Sequence, residues 1–488
     1  LLEFQNAITF RNDYYNKRFF IVPETVIQKN GAFPNSKLFT ETNYSFDLKL
    51  LNSSTTSYLY LKEQTDKIYE LDGSLVKVTQ TNNDNLDEYG NIQLISFKQG
   101  TTVTSLPYEE STVNVYENWT SGDTWILGRL MNTTVTKKSP GRPDIVRNSS
   151  FTYYSTHGQL ESETIEPNDP KALTKTYTYD DFGNIETTVI SPGTAQRSTT
   201  TEYDHNLTER HGRFLTKMTN AKGQVSSKTI DPITGLTIKT TDLNGLDTKS
   251  FYDGFGSTFR VINPDQTQAV SVARWCSAND ADKPEYAVYY TWAKSTASSP
   301  VVKYYSLIGK ELRTVTIGFE GRKIYNDVEY DGQGRVWKTY QPYFADSPPV
   351  NKTFTKTEYD LFNRINVVIQ PDLTHQTLYT YEGLKTTVTN PLGQSSSKVL
   401  NAAGWLIKST DGAGKSVINE YNSDGSLFKK YLENQPLTTI TFALYDAFGH
   451  ALEMDDPDLG TITYSYNVFG ELESEKNNRD ITTIYTYD

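Results

Sequence analysis

Carboxylates are the most numerous charged groups here that could do chemistry. The chain of 488 residues has 59 Asp and Glu against 47 Lys and Arg. Paired carboxylates drive glycoside hydrolysis, yet no pair stands apart by its spacing. Asp455, Asp456 and Asp458 could offer several oxygens to a hard cation, as could the stretch Asn82 to Glu88 (NNDNLDE). Neither has the distal Glu of a calcium loop, and both read as solvated turns. His157, His205, His211, His375 and His450 are scattered, without metal-ligand spacing. Cys276 is the single cysteine, which excludes internal disulfides and Cys-rich zinc sites. It sits beside Trp275 with no motif-linked His and reads as a partly buried thiol. No Gly-x-Ser-x-Gly elbow occurs. No catalytic, cofactor or metal residue is assigned, and the chain reads as a non-enzyme.

One carboxylate does recur in a pattern. The phrase Tyr-Asp-x-x-Gly returns as YDDFGN, YDGFGS, YDGQGR, YDLFNR, YDAFGH and YNVFGE. Its residues are Tyr179, Asp180 and Gly183; Tyr252, Asp253 and Gly256; Tyr330, Asp331 and Gly334; Tyr359 and Asp360; Tyr445, Asp446 and Gly449; Tyr466 and Gly470. Tyr and Thr alternate before each phrase, as in TKTYTYD and TITYSYN, which is the period of a β-strand. Asp bonds its own backbone two residues on, and Gly accepts positive φ, so the phrase is a tight turn. A second strand follows. Pro264, Pro342, Pro371 and Pro457 lie eight residues beyond the phrase's Gly or Asn and stop it. The unit is a β-hairpin, and the Asp residues serve its turn.

The elements that position these residues follow from the spacing. Gly383, Gly393, Gly404, Gly414 and Gly425 are 10 or 11 residues apart, and Gly449 to Gly470 is 21. A turn at every such step predicts an antiparallel meander of short strands, and a shared turn phrase marks a repeat architecture over a sandwich or barrel. No sustained helical period occurs, so the fold class is all-β. Only 36% of residues are hydrophobic while 34 are Tyr, which suits a single-layer wall better than a solid core. Residues 1–58 read as an irregular β lead-in with Tyr14, Tyr15, Phe19 and Phe20 and the loop NGAFPNS. Residues 59–256 read as regular repeat, 257–308 as longer strands or an inserted loop, and 309–488 as regular repeat again. KKSPGRPD (Lys137 to Asp144) and ADSPPVNK (Ala345 to Lys352) read as surface loops.

A net charge of −12 and a pI near 5.1 exclude the basic stripe of a nucleic-acid binder. No apolar run reaches the length of a membrane helix. The chain opens on LLEFQ without Met and stops at Tyr487-Asp488, the start of another unit. Both ends read as cut, as in a piece of a longer protein.

With these phrases, and with WILGRL, GKELR, DLNGLDTKSFYDGFGSTFRVINPD and MDDPDLGTITYSYNVFGEL, the sequence resembles the Rhs/YD-repeat family from roughly residue 90 onward. It is most similar to the versions in Tc-toxin B components and SpvB-like proteins. The resemblance implies a β-sheet strip that spirals into a hollow shell, here a partial one. It implies an exported protein whose partner is its own downstream C-terminal toxin or effector segment. Other toxin-complex subunits or a secretion apparatus are further implied partners, with no cofactor. The related teneurins imply an alternative, a surface protein whose outer face binds a protein or glycan. The family's self-cleaving aspartyl core would follow the last repeats. DPDLG (Asp456 to Gly460) has some likeness to its motif but runs straight into TITYSYNVFG, so no protease residues are carried over.

About 400 repeat residues, two-thirds in strands at ~3.4 by ~4.8 Å each, make a sheet on the order of 4,000 Å². Closed as a sphere it leaves a cavity of roughly 13 Å radius, too small for a folded domain of ~100 residues. The piece is therefore expected to be part of a wall, and its open sheet edges to favour some self-association.

Overall fold

The computed structural model describes residues 7–13, 18–30, 36–51, 56–121, 125–204, 212–347 and 352–487. Tyr14 and Tyr15, most of NGAFPNS, His205, His211 and part of ADSPPVNK lie outside these residues.

Every regular element is a β-strand apart from a 3₁₀ turn at Phe319–Gly321, and no α-helix occurs among the described residues. Among the described residues 38 strands form one sheet, each antiparallel to the next along the chain except at the two-residue strand Tyr343–Phe344, which pairs with neither of its sequence neighbours. The early strands are long: Lys37–Leu51 has 15 residues and Ile126–Lys138 has 13. From Leu160–Ile165 onward most have five to eight, such as Asp247–Tyr252 and Thr258–Ile262. The sheet is open. Among the described residues, Ala7–Asp13 pairs only with Arg18–Asn30, and Thr482–Ile484 only with Leu472–Lys476.

The meander breaks its rule at Lys323–Tyr330. One side of this strand pairs with Glu311–Ile317. Its other side is shared: Ile324 and Tyr325 face the two-residue strand Tyr343–Phe344, while Val328 to Tyr330 face Val336–Tyr340. Val336–Tyr340 then pairs with Phe354–Tyr359, so the short strand stands beside the ladder. The sheet forks here, and the largest buried cluster fills the fork: Ala287, Tyr304, Val315, Tyr325 and Tyr343. The 257–308 stretch contributes strands of ordinary length, including Gln268–Trp275 and Tyr289–Ser295, together with a loop at 276–288. Elsewhere buried apolar side chains are sparse, as a one-layer sheet requires.

Two loop expectations need correction. Asn82 to Leu86 is not a turn. It completes strand Leu75–Leu86, where Asn82 and Asn83 pair with Ser96 and Ile95, and the turn begins only at Asp87. Ladder pairing with Ile92–Gly100 outweighs the turn preference of the Asn and Asp residues. KKSPGRPD is a loop only from Ser139 on, since Lys137 and Lys138 end strand Ile126–Lys138, and its surface is exposed except at Ser139 and Arg142, where a distant part of the sheet lies against it.

Candidate functional site, a seam between successive coils

Asp of the repeated phrase spends its carboxylate on the turn. Asp180 Oδ1 accepts the backbone N–H of Phe182 and of Asn184, both at 2.9 Å. Asp253, Asp331, Asp360 and Asp446 make the same two contacts at 2.8–3.0 Å, and Asn467 does so with its side-chain oxygen. Gly183 closes the turn with φ of 85°, and Asn363 holds the same place at 65°. Burial pushes the Asp331 and Asp446 carboxyls up, but the N–H donors and the neighbouring Arg335 and His450 outweigh it and hold both below the usual range.

Tyr of the phrase has a second task. A register shift falls immediately before it in all six copies. In five copies its hydroxyl donates to a strand-start carbonyl beside it: Tyr179 to Leu160, Tyr252 to Thr237, Tyr330 to Glu311, Tyr359 to Val336 and Tyr445 to Leu427, at 2.6–2.9 Å. The acceptor is always two residues past the preceding turn Gly, so each Tyr ties its turn to the previous one on the same edge. Tyr466 instead stacks on His450 at 4.6 Å. Replacing Tyr252 with Phe removes one such bond. The expected loss is about 1 kcal/mol of unfolding free energy, read by urea titration.

An even number of ladder strands separates every two successive copies of the phrase, so all six turns lie on one long edge of the strip. Turns such as Glu70–Ser74, the loop 139–144, and 193–196 are separated from that edge by odd numbers and lie on the other. The two edges meet. Contacts join residues 274 to 295 positions apart, which is 22 to 26 strands further along. The strip has made a circuit, and the phrase edge of its second coil rests on the opposite edge of the first.

The seam is built from charge pairs and rings. Arg364 binds Glu70 through both terminal nitrogens, at 2.9 and 2.5 Å, and Asp360 through Nε at 2.7 Å. Phe362 packs beside this group on Phe39, with ring centres 4.7 Å apart. Burial pushes the Glu70 carboxyl up, and Arg364 together with the Leu71 and Gly383 N–H groups more than reverses it, leaving Glu70 low. Further along, Arg142 reaches Glu420 at 2.6 Å while stacking on Phe428, and Ser423 Oγ donates to the Pro143 carbonyl at 2.7 Å. This is why Ser139 and Arg142 are half-buried while the rest of their loop is exposed. Arg197 grips Glu471 at 2.8 and 2.9 Å and lies 3.9 Å over the Phe469 ring. Tyr108 meets Trp405 edge-on at 5.6 Å, and Lys171 donates to the Tyr466 carbonyl at 3.1 Å. Twice, then, an Arg of one coil is held between a carboxylate and a Phe of the other.

The phrase residues therefore divide by place. Tyr359, Asp360, Tyr445, Asp446, Gly449, Tyr466 and Gly470 belong to the coil whose edge docks. Tyr179, Asp180, Gly183, Tyr252, Asp253 and Gly256 occupy the same edge one coil earlier. Tyr330, Asp331 and Gly334 lead from one to the other, and Arg335 there bonds Asn363 of the next turn at 2.6 Å. Sequence reasoning missed Glu70, Arg142, Arg197, Glu420 and Glu471, because nothing local marks charges whose partners lie hundreds of residues away.

The other chemistry-bearing side chains do not converge. No group of three His, Cys, Asp or Glu among the described residues could hold a metal. Asp456 Oδ1 accepts the N–H of Asp458 and Leu459, and Asp455 accepts from Thr461. His375 pairs with Asp372, and His157 packs on Tyr154. Burial pushes the Cys276 thiol up. The densest ionisable group lies in the fork. Tyr304 donates to Asp280 at 2.9 Å, Tyr325 to Asp282 at 2.5 Å and Tyr343 to Asp327 at 2.5 Å. Arg313 clamps Asp327 at 2.6 and 2.7 Å. Each carboxylate is consumed by a donor, so the cluster locks the loop over the sheet.

Neither a protein-family model nor a curated protein matches the sequence. Solved structures do match the fold. The crystal structure of TcdB2-TccC3-TEV aligns with a TM-score of 0.73 at 11% identity, over 94% of this chain and 34% of that one. A mutant Tc holotoxin pore from Photorhabdus luminescens aligns with a TM-score of 0.73 at 11% identity, over 96% of this chain and 34% of that one. The crystal structure of TcdB2-TccC3 gives 0.63 at 12% identity, over 98% and 33%. The chain spans about a third of the length of the chains it matches. A single antiparallel strip that coils and docks edge on edge, superposing on these structures over nearly its whole length, is the Tc-toxin B/Rhs-type shell fold.

Proposed function

We propose that the chain is a non-catalytic segment of a β-shell that encloses a C-terminal toxic payload for export. The seam carries this reading. A strip whose second coil is bonded to its first becomes a continuous wall, whereas an uncoiled strip would only be a scaffold. A circuit of about 24 strands at ~4.8 Å each measures about 115 Å, or about 37 Å across at mid-wall. Inward side chains of ~5 Å leave an interior about 27 Å wide, which fits an unfolded segment better than a folded domain. Secretion and association with other toxin-complex subunits belong to the same reading and draw support from the fold's resemblance to Tc holotoxin structures.

Limited proteolysis of the natural chain with its downstream sequence tests the proposal. Mass spectrometry should find the downstream segment intact while the exposed loops are cut. Rapid loss of that segment with the repeat region intact would favour the teneurin-like alternative, an open wall that binds partners on its surface.

A further inference from the structure

The seam is unevenly filled. Phe362, Phe448 and Phe469 hold the place before the turn Gly or Asn in docking turns of the second coil, and the turn from Asn401 to Trp405 has Ala403 there. Beside that turn a cavity of about 260 Å³ lies between the coils. Tyr108 and Arg142 line it from the first coil, and Trp405, Asn419, Glu420 and Tyr421 from the second. Both walls are docked parts of the chain, so the hollow exists because the coils meet. Trp405 meets Tyr108 edge-on at 5.6 Å and Tyr421 at a tilt of 44° and 5.5 Å, which makes a bent apolar wall.

The polar side chains of the lining set the charge of what can enter. Arg142 and Glu420 are its charged pair, 2.6 Å apart, so the cavity is neutral as a whole. A cation would meet Arg142 and an anion Glu420, each a like charge. Asn419 Nδ2 and the Tyr421 hydroxyl both donate to the Leu406 carbonyl, at 2.9 and 2.8 Å. Asn419 Oδ1 and the Arg142 Nε and Nη1 groups make no hydrogen bond among the described residues. An acceptor and several donors thus stand open beside an apolar wall. A hydroxyl group both donates and accepts and suits them, whereas a wholly apolar ligand would leave them unpaired. The volume falls below the ~300 to ~1,000 Å³ of sites for drug-sized ligands, so a single ring fills it.

We propose that this cavity binds one neutral pyranose ring, its C–H face on Trp405 and its hydroxyls on Asn419 Oδ1, Arg142 and Glu420. A sugar pairs an apolar ring face with a rim of hydroxyls, the combination that this lining supplies. Because the walls come from both coils, the bound ring favours the docked seam over the open one. The site is independent of what the shell contains, and it holds for a closed wall and an open one alike.

Saturation-transfer NMR with the methyl glycosides of glucose, galactose and mannose, at millimolar concentration, reads this. Transfer should reach the ring C–H protons of at least one of the three, and choline, a cation probe, should receive none. A disaccharide ending in the preferred ring separates two sources: a glycan terminus binds at least as well as the methyl glycoside, and a free monosaccharide's site excludes the second ring. Trp405→Ala should abolish transfer, while Trp275→Ala, at an exposed ring elsewhere on the sheet, should keep it. Asn419→Leu should weaken binding about tenfold, the scale of one lost hydrogen bond. It leaves the Leu406 carbonyl its bond from Tyr421, and so carries the test if Trp405→Ala melts early. Hydrogen exchange in Leu406–Thr410 should slow in the presence of the sugar that binds. No transfer to any of the three glycosides overturns the proposal. So does transfer to choline in their place, which would give the rings to a cation. Sugar binding that survives both Trp405→Ala and Asn419→Leu also overturns it, by placing the site elsewhere.

Discussion

Arg364→Ala is expected to lower the unfolding free energy by about 3 kcal/mol, the scale of an ion pair broken from one side with its partner left in place. Glu70 keeps only 9% of its side-chain surface exposed, and Arg364 27%. The variant leaves Glu70 with only backbone N–H donors, from Leu71 and Gly383, and strips Asp360 of its guanidinium. Glu70→Ala should cost less, since Arg364 retains Asp360. The double variant should cost clearly less than the sum of the two, because no uncompensated charge remains. The damage should also be local. Contacts in a repeat array are mostly between neighbours, so hydrogen exchange should quicken in Phe354–Tyr359 and Gln376–Glu382 while Gln268–Trp275 keeps its protection. Uniform acceleration along the chain would show instead that the two coils unfold as one unit and that the seam is no independent joint.

Alkaline pH is the second large lever. Burial first, then the hydrogen bond each makes to Asp280, Asp282 or Asp327, raises the phenols of Tyr304, Tyr325 and Tyr343 far above their usual range. Below about pH 10 the folded and unfolded chains both keep these protons, and the stabilisation is complete. Above it the unfolded chain releases them while the folded chain holds them, so stability falls as pH rises. Each retained proton is worth up to about 1.4 kcal/mol per pH unit, and because an unfolded tyrosine is already half ionised near pH 10 the three together lose about 3 kcal/mol between pH 10 and 11. Half-buried tyrosines on other strands add to this, among them Tyr69, which is pushed up to about 12. Urea midpoints measured from pH 8 to 11 read the slope, and tyrosinate absorbance reads the ionisation. Tyr325→Phe should remove about a third of the fork's share of the slope. An unchanged slope in that variant would mean that the fork opens before its tyrosines ionise.

The all-β architecture was legible because the turn phrase is local. Asp180 and Gly183 need only each other and the backbone between them, so their spacing alone announces the hairpin. The role of the Tyr was half legible. Alternation placed Tyr252 on a strand, but its bond to Thr237 depends on which strand lies beside it. The seam was not legible at all. Glu70 and Arg364 look like ordinary surface charges, and Arg142 sat in a stretch whose Ser, Pro and Gly gave every sign of an exposed loop. What joins them is the curvature of the whole strip, a sum of small twists over more than twenty strands. The fork was hidden for a related reason. Its loop at 276–288 carries no turn phrase, and the pairing of Ile324 with Phe344 crosses an intervening strand.

Because every phrase turn of the second coil must reach the docking edge, the strip counts in twos. Losing or gaining one strand of ten or eleven residues would carry every later phrase to the far border, present the seam with the wrong side chains and undo Arg142, Arg197 and Glu70 together. Losing or gaining two strands would leave parity untouched and merely shift which turn meets which. The two-residue strand Tyr343–Phe344 obeys this arithmetic by standing outside the count, since Val336–Tyr340 pairs past it with Phe354–Tyr359. Length in such a wall can therefore change by hairpins but not by strands, much as a coding sequence tolerates whole codons and not single bases.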